Sequence, residues 1–228
     1  SRPIRVLLCD EVDRYGVTKE GDPLKLAIQR TQNFSNRKII LVSTPTVKGV
    51  SKIDDWFERS DKRHFYVKCP HCGHEHKFEW KYVQWTTDEN GRADPMTSAI
   101  YCPSCGAKER GAFKPNPEML ESGRWIPEAK SRIKGYHCNA LYSPWVNLHD
   151  LVQEFLSCTE NQDKHGLMEF VNLKLGEAWE QRDPNAGEWQ HLFERREEYP
   201  KGVLPNGVLM LTAGIDVQHD RVECSVYG

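Results

Sequence analysis

Two short cysteine knuckles constrain this chain more than any other feature. They read Cys69-Pro70-His71-Cys72-Gly73 and Cys102-Pro103-Ser104-Cys105-Gly106, a C-x2-C-x29-C-x2-C pattern. Each knuckle turns two thiolates toward one ion, and the glycine after the second cysteine supplies the tight turn that lets backbone amides approach sulfur. Four thiolates close a tetrahedron around Zn2+ and leave no position for water, so a site of this kind is structural. The pattern predicts a zinc ribbon over residues 64–110, with a hairpin-like turn at Asp88-Glu89-Asn90-Gly91. It also predicts that chelation unfolds the ribbon and leaves the α/β half largely intact. A redox pair of Cys-x-x-Cys motifs, or four unconnected thiols, fits the paired C-P-x-C-G form less well. His71, His74 and His76 lie close enough to compete as ligands, but with four thiolates present they are expected at the surface or behind the ligands. Cys9, Cys138, Cys158 and Cys224 are scattered through apolar or helical contexts and are expected to be ordinary buried thiols.

Eight cysteines in a secreted chain would suggest disulfides. Half of them sit in the knuckles, and Ser1 to Arg5 runs into a strand-like segment with no signal pattern, so a reduced, cytoplasmic protein is the better expectation. No apolar run approaches the roughly 18 residues of a membrane span. The formal net charge is −2, so nucleic-acid binding would have to come from local patches. One candidate patch is Lys62, Arg63, His64, Lys68, Lys77 and Lys81, interleaved with Phe65, Tyr66, Phe78 and Trp80. Asp61, Glu75 and Glu79 interrupt it, which fits a solvated face over a small aromatic core equally well.

The first sixty residues read as α/β. Ile4 to Cys9 is an apolar strand of the parallel-sheet kind, Asp22-Pro23 opens a helix through about Gln32, and Lys38 to Ser43 is a second β-branched strand. Strand, helix, strand makes a right-handed β-α-β unit the default. Ser51 is a candidate cap for a further helix with Ile53, Trp56 and Phe57 on one face. The first strand ends abruptly in Asp10 and Glu11, the form of a Walker B strand. There the first acid binds Mg2+ and the second orients or activates the attacking water. The neighbouring strand ends in Ser43-Thr44-Pro45, where motor ATPases place a small hydroxyl-bearing motif that senses the γ-phosphate. Solvated strand ends and an ordinary turn are the plain alternatives, and D-E beside S-T-P favours the ATPase.

Beyond the ribbon, residues 111–146 are rich in Pro, Gly and aromatics with weak periodicity. Two amphipathic helical stripes follow, Leu148 to Leu156 and Leu167 to Leu175, within a helical stretch over 148–182. Residues 183–206 form a charged, Pro-punctuated linker. V-L-M-L-T-A-G-I-D-V then reads as a buried strand, followed by a Q-H-D turn and an alternating, half-exposed antiparallel partner. Asp216 stands within the apolar strand and is costly to bury without a partner. A metal ion is the economical one, since RNase H-like nucleases begin a two-metal site with a carboxylate on the first strand of such a hairpin. A satisfied or solvent-facing aspartate is the alternative.

In this order, V-L-L-C-D-E-V-D, E-G-D-P, I-I-L-V-S-T-P-T, Y-V-K-C-P-H-C-G-H, N-A-L-Y-S-P-W, L-G-E-A-W-E and L-T-A-G-I-D-V-Q-H-D-R-V-E span nearly the whole chain. Together they resemble the GpA-like family of large terminase subunits of tailed phages. The resemblance implies a motor that hydrolyses ATP to drive viral DNA into a procapsid, and an endonuclease that cuts concatemeric DNA. By position it implies Asp10 as the Mg2+ acid, Glu11 as the catalytic carboxylate, Ser43 and Thr44 as the coupling motif, and Asp216 as the first nuclease acid, with Mg2+ or Mn2+ there. It further implies double-stranded DNA, a small terminase subunit and a portal ring as partners, a homo-oligomer on the procapsid, and the host bacterial cytoplasm as location. No G-x-x-x-x-G-K-[ST] loop occurs in these residues, and only the first nuclease hairpin is present. The expected chain is therefore an inactive middle fragment. Its parts are the end of an ATPase domain (1–63), the ribbon (64–110), a helical linker (111–206) and the start of an RNase H-like nuclease (207–228). The rival reading is a zinc-ribbon adaptor or nucleic-acid-binding protein without catalysis, in which Asp10 and Asp216 are surface acids.

Overall fold

The computed structural model describes residues 2–181, 210–217 and 222–227. The chain divides into two compact units, 1–181 and 182–228. The first opens with the expected β-α-β unit. Strands β1 (Val6–Asp10) and β2 (Lys38–Val42) run parallel, in register from Val6 opposite Lys38 to Asp10 opposite Val42. Helix α1 (Pro23–Gln29) joins them. Asp22 caps it by accepting from the Leu24 amide, and Pro23 occupies the first turn, where no donor is needed. Tight turns replace the helix after Gln29, short of the expected Gln32.

The two strands are apolar on both sides, but only one side is covered. Cys9, Val12 and Leu24 form a small core with Leu7, Leu41, Ile28, Ile53 and Trp56. Val6, Leu8, Ile40 and Val42 alternate onto the opposite face, where Leu8 is 69% exposed. A mostly buried first strand was the expectation, and the period-2 geometry delivers burial to one face because no layer covers the other among the described residues. Helix α2 (Lys52–Glu58) follows, with Ser51 accepting from the Asp54 amide as expected.

The knuckles sit on two small sheets. Strand β3 (Arg63–Lys68) pairs antiparallel with β4 (Glu75–His76) and β8 (Arg124–Pro127), and parallel with β9 (Tyr136–His137). Strands β5 (Val83–Thr87), β6 (Ala93–Tyr101) and β7 (Lys108–Arg110) form an antiparallel sheet. The β5–β6 turn is the predicted one, closed by the Asp88 amide on Arg92 O, with Gly91 at φ +76°. A short helix, α3 (Pro117–Glu121), precedes β8. Helices α4 (Leu148–Glu160) and α5 (Lys164–Glu169) carry the two apolar stripes, and α5 runs on into a wide helical turn over Phe170–Leu175. The expected helical stretch breaks between them, where Gln162 takes φ +54° and Asp163 caps α5 by accepting from the Gly166 amide.

The knuckle-bearing sheets and the helices share one core. Val67, Phe78, Val83 and Ile100 pack with Leu141, Leu148, Leu151, Val152, Phe170 and Leu175. Trp80 meets Phe170 edge-on at a centroid distance of 4.9 Å and lies 5.2 Å from Phe155. The buried Tyr142 hydroxyl donates to Phe65 O and accepts from the Phe78 amide, both at 2.6 Å. Arg110, 2% exposed, donates to the carbonyls of Phe113, Leu141 and Val146. Much of the interleaved aromatic stretch is thus core, and its charged neighbours pair locally, as Lys68 and Arg124 do with Glu75.

The second unit holds β10 (Thr212–Val217) and β11 (Val222–Tyr227), antiparallel with Asp216 opposite Glu223. Met210, Leu211 and Ile215, within the stretch expected as a buried strand, are exposed. The predicted linker at 183–206 and the Q-H-D turn lie outside the described residues. Among the described residues no helix is long and apolar enough to cross a membrane.

Candidate functional site

The parallel register sets the first site. With Asp10 opposite Val42, the acids that end β1 and the hydroxyls that follow β2 emerge side by side at one sheet edge. Asp10 is exposed and accepts from the Glu11 amide at 3.0 Å. Glu11 is held at φ 52°, ψ 45°, a left-handed conformation that costs a non-glycine residue of order 1 kcal/mol and is typical of functional loops. Its carboxylate meets Arg14 Nε at 3.1 Å. Ser43 Oγ accepts from the Asp13 amide at 3.2 Å and donates to Thr44 O. Asp13, two residues beyond Glu11, is thus bonded to the first hydroxyl of the S-T-P motif.

Asp13 makes further bonds, and sequence reasoning gave it no role. Its Oδ2 accepts from Thr46 N at 3.1 Å and Thr46 Oγ1 at 2.9 Å, while Oδ1 accepts from the Ile53 amide at 2.7 Å. One carboxylate thus ties the β1 end, the segment after β2 and the start of α2. The signal was the spacing D-E-x-D, a further acid one turn beyond Asp10. The same segment continues outward. Thr46 O accepts from the Trp179 amide at 2.8 Å, Lys48 N donates to Trp179 O at 3.0 Å, and Lys48 Nζ meets Glu180 Oε1 at 3.2 Å. The L-G-E-A-W-E stretch is bonded to the strand-end loop.

The four knuckle cysteines form the second site. Their sulfurs all lie within 4.8 Å of one another, with Cys69–Cys105 and Cys72–Cys102 at 3.8 Å. A regular tetrahedron with Zn–S near 2.3 Å has S···S edges of about 3.8 Å, so the donor set fits zinc without rearrangement. Gly73 and Gly106 take φ +74° and +70°, and their amides donate to Cys69 O and Cys102 O. The Ser104 amide points at Cys102 Sγ at 3.4 Å. Cys69 and Cys102 are buried, Cys72 and Cys105 exposed. Burial pushes the Cys69 thiol up to about 12, so an entering ion displaces a firmly held proton. His71 and His74 are exposed, as expected, whereas His76 is buried behind the ligands with Nε2 2.8 Å from Glu109. Of the four remaining cysteines only Cys9 is buried. Cys138, in the loop after β9, and Cys224, on β11, are exposed, and Cys158, near the C-terminal end of α4, is intermediate.

Two family matches divide the chain. Residues 1–125 match the family described as phage terminase large subunit gpA, ATPase domain, and residues 133–228 match terminase large subunit gpA, endonuclease domain. The chain belongs to the gpA family of phage terminase large subunits. The large terminase subunit of Enterobacteria phage P21 is 29% identical over 257 residues, covering 100% of this chain and 38% of that protein. The Escherichia phage lambda counterpart is 30% identical over 235 residues, covering 93% of this chain and 35% of its own length. This chain therefore spans little more than a third of these relatives. No solved structure matches it. The endonuclease match takes in α4 and α5, which the sequence reading assigned to a linker. Asp216 falls within that match on β10, and its side chain lies outside the described residues.

Proposed function

We propose that this chain is the central portion of a large terminase subunit that packages viral DNA with ATP and cuts concatemers with a metal-dependent nuclease. The observation that carries the reading is the parallel pairing of Asp10 with Val42, which sets Asp10-Glu11 beside Ser43-Thr44. In the complete protein Asp10 holds Mg2+ of the bound nucleotide, and Mg2+ supplies charge neutralisation on the phosphates. Asp10 fits that task, as an exposed hard oxygen donor at the C-terminal edge of a parallel strand. Glu11 takes the proton of the attacking water once it leaves Arg14. Ser43 and Thr44 register the γ-phosphate, and Asp13 keeps them in place. Cys69, Cys72, Cys102 and Cys105 hold a structural Zn2+, and the RNase H-like nuclease begins at β10 with Asp216 as its first acid for Mg2+ or Mn2+. The DNA is double-stranded, the protein partners are the small subunit and the portal, and the assembled form is a homo-oligomer in the host cytoplasm.

The test uses the complete terminase subunit. Glu11→Gln should keep ATP binding and lower kcat for hydrolysis by at least 100-fold, and Asp216→Ala should abolish DNA cleavage while ATPase persists. Both substitutions leaving both activities intact would favour a zinc-ribbon adaptor instead.

A further inference from the structure

We propose that the ribbon holds a second divalent cation of the zinc class, bound by Cys102, His76 and Glu109 beside the four-thiolate position. The inference rests on reading the four cysteines as a zinc site. Cys102 Sγ, a ring nitrogen of His76 and a carboxylate oxygen of Glu109 lie within 4.8 Å of one another. The His76 and Glu109 side chains are 6% and 0% exposed. Glu109 Oε2 meets His76 Nε2 at 2.8 Å, but Oε1 is buried without any hydrogen-bond partner. Among the described residues His76 is the only ion-pair partner of Glu109, with no lysine or arginine against it.

That arrangement is incomplete as a protein-only structure. A buried carboxylate oxygen without a donor is costly. Charge makes the same point. Four thiolates and one Zn2+ leave two negative charges, and Glu109 adds a third beside them in a buried place. A second divalent cation reduces the total to one. Glu109 through both oxygens, His76 through Nε2 and Cys102 as a bridging thiolate supply four donor atoms of the types zinc accepts. His76 Nδ1 faces the His74 carbonyl at 3.4 Å, so when an ion displaces the proton shared by Nε2 and Glu109, the ring keeps its remaining proton on Nδ1. Two donors about 2.1 Å from a tetrahedral ion stand roughly 3.4 Å apart. The observed 2.8 Å is the spacing of a proton-bridged pair, so loading spreads His76 and Glu109 by about half an ångström. The bound ion pins β4 to β7 across the second knuckle.

Zinc and protein quantified on the 228-residue chain, expressed with zinc and desalted, decide the matter. Two zinc ions per chain are expected, falling to one in Glu109→Gln, which is nearly isosteric and keeps its bond to His76, and to one in His76→Ala. Cobalt substitution should give a visible spectrum that Glu109→Gln simplifies to that of a pure thiolate site. One zinc in the parent, unchanged by Glu109→Gln, would overturn the second position and leave the four-cysteine site standing. No zinc at all would overturn the four-cysteine reading itself, and this proposal with it.

Discussion

Asp13→Ala removes the acceptor for three donors without touching either predicted motif residue. The Ile53 amide bond is short, 2.7 Å, and partly buried, so its loss counts at nearly the full value of a bond to a charged acceptor, about 2 kcal/mol. The two bonds from Thr46 lie at the surface, where water replaces the carboxylate, and each contributes about 0.5 kcal/mol. The expected loss is therefore about 3 kcal/mol for the first unit. Asp13→Asn should cost roughly half as much, because its oxygen still accepts from one side while its amide group faces an N–H on the other. Urea unfolding of the 228-residue chain, followed by far-ultraviolet circular dichroism, reads the stability. Amide exchange at Thr46 and Ile53 reads the location. Faster exchange confined to these amides and their neighbours is the signature of a local tie. A loss under 0.5 kcal/mol with unchanged exchange at Ile53 would refute the argument that Asp13 holds the two strand ends and α2 together.

Acid should act on the first unit partly through Asp61. Burial alone raises this carboxyl, but Lys134 at 3.0 Å, the Gly135 amide at 3.1 Å and Arg63 at 2.9 Å together outweigh it and hold its pKa below the usual carboxylate range. A depressed carboxylate contributes stability above its ordinary pKa and loses it as pH falls through the lower folded value. Asp61→Asn should therefore be destabilised at pH 7 and converge on the parent in thermal melts as pH falls below the usual carboxylate range; parallel curves at every pH would contradict this. Chelation of zinc should loosen more than the ribbon, because Phe78, Val83 and Ile100 share a core with α4. Near-ultraviolet dichroism from Trp80 and Trp85 and the helical signal of α4 should fall together, while amides in β1 and β2 keep their protection. Retention of the α4 signal would restore a separately folding ribbon.

What the sequence disclosed follows from the range of each interaction. The knuckles, the caps at Asp22 and Ser51, the β5–β6 turn and the β-α-β unit are local, each decided within a few residues by turn chemistry or periodicity. The adjacency of Asp10 and Ser43 was legible because a β-α-β unit leaves little freedom in register. Asp13 was missed because its partners, Thr46 and Ile53, are 33 and 40 residues away. Arg110 was missed for the same reason. A fully buried arginine satisfied by three main-chain carbonyls has no side-chain partner that a pattern could reveal. The burial of β1 was overestimated because composition states what a strand can bury and not which face receives a layer.

The family matches and the packing divide the chain at different places, and the difference has a physical cause. The ATPase match ends at 125 and the endonuclease match begins at 133, yet the compact unit runs to 181. Strand β3, within the ATPase match, pairs with β9, within the endonuclease match. Phe78 stacks on Tyr142 at 5.0 Å, and the Trp179 backbone is bonded to Thr46 and Lys48. A cut between the two matches would strip Leu141, Leu148, Leu151 and Phe170 from Val67, Phe78 and Ile100, opening the larger of the two cores. Burial of that core, rather than descent of the sequence segments, sets where the chain can be divided without loss of fold. The first residues of the endonuclease match are thus part of the body that presents Asp10 and Glu11. A displacement of Thr46 at that edge must either carry residues 177–180 with it or break the two backbone bonds that hold them.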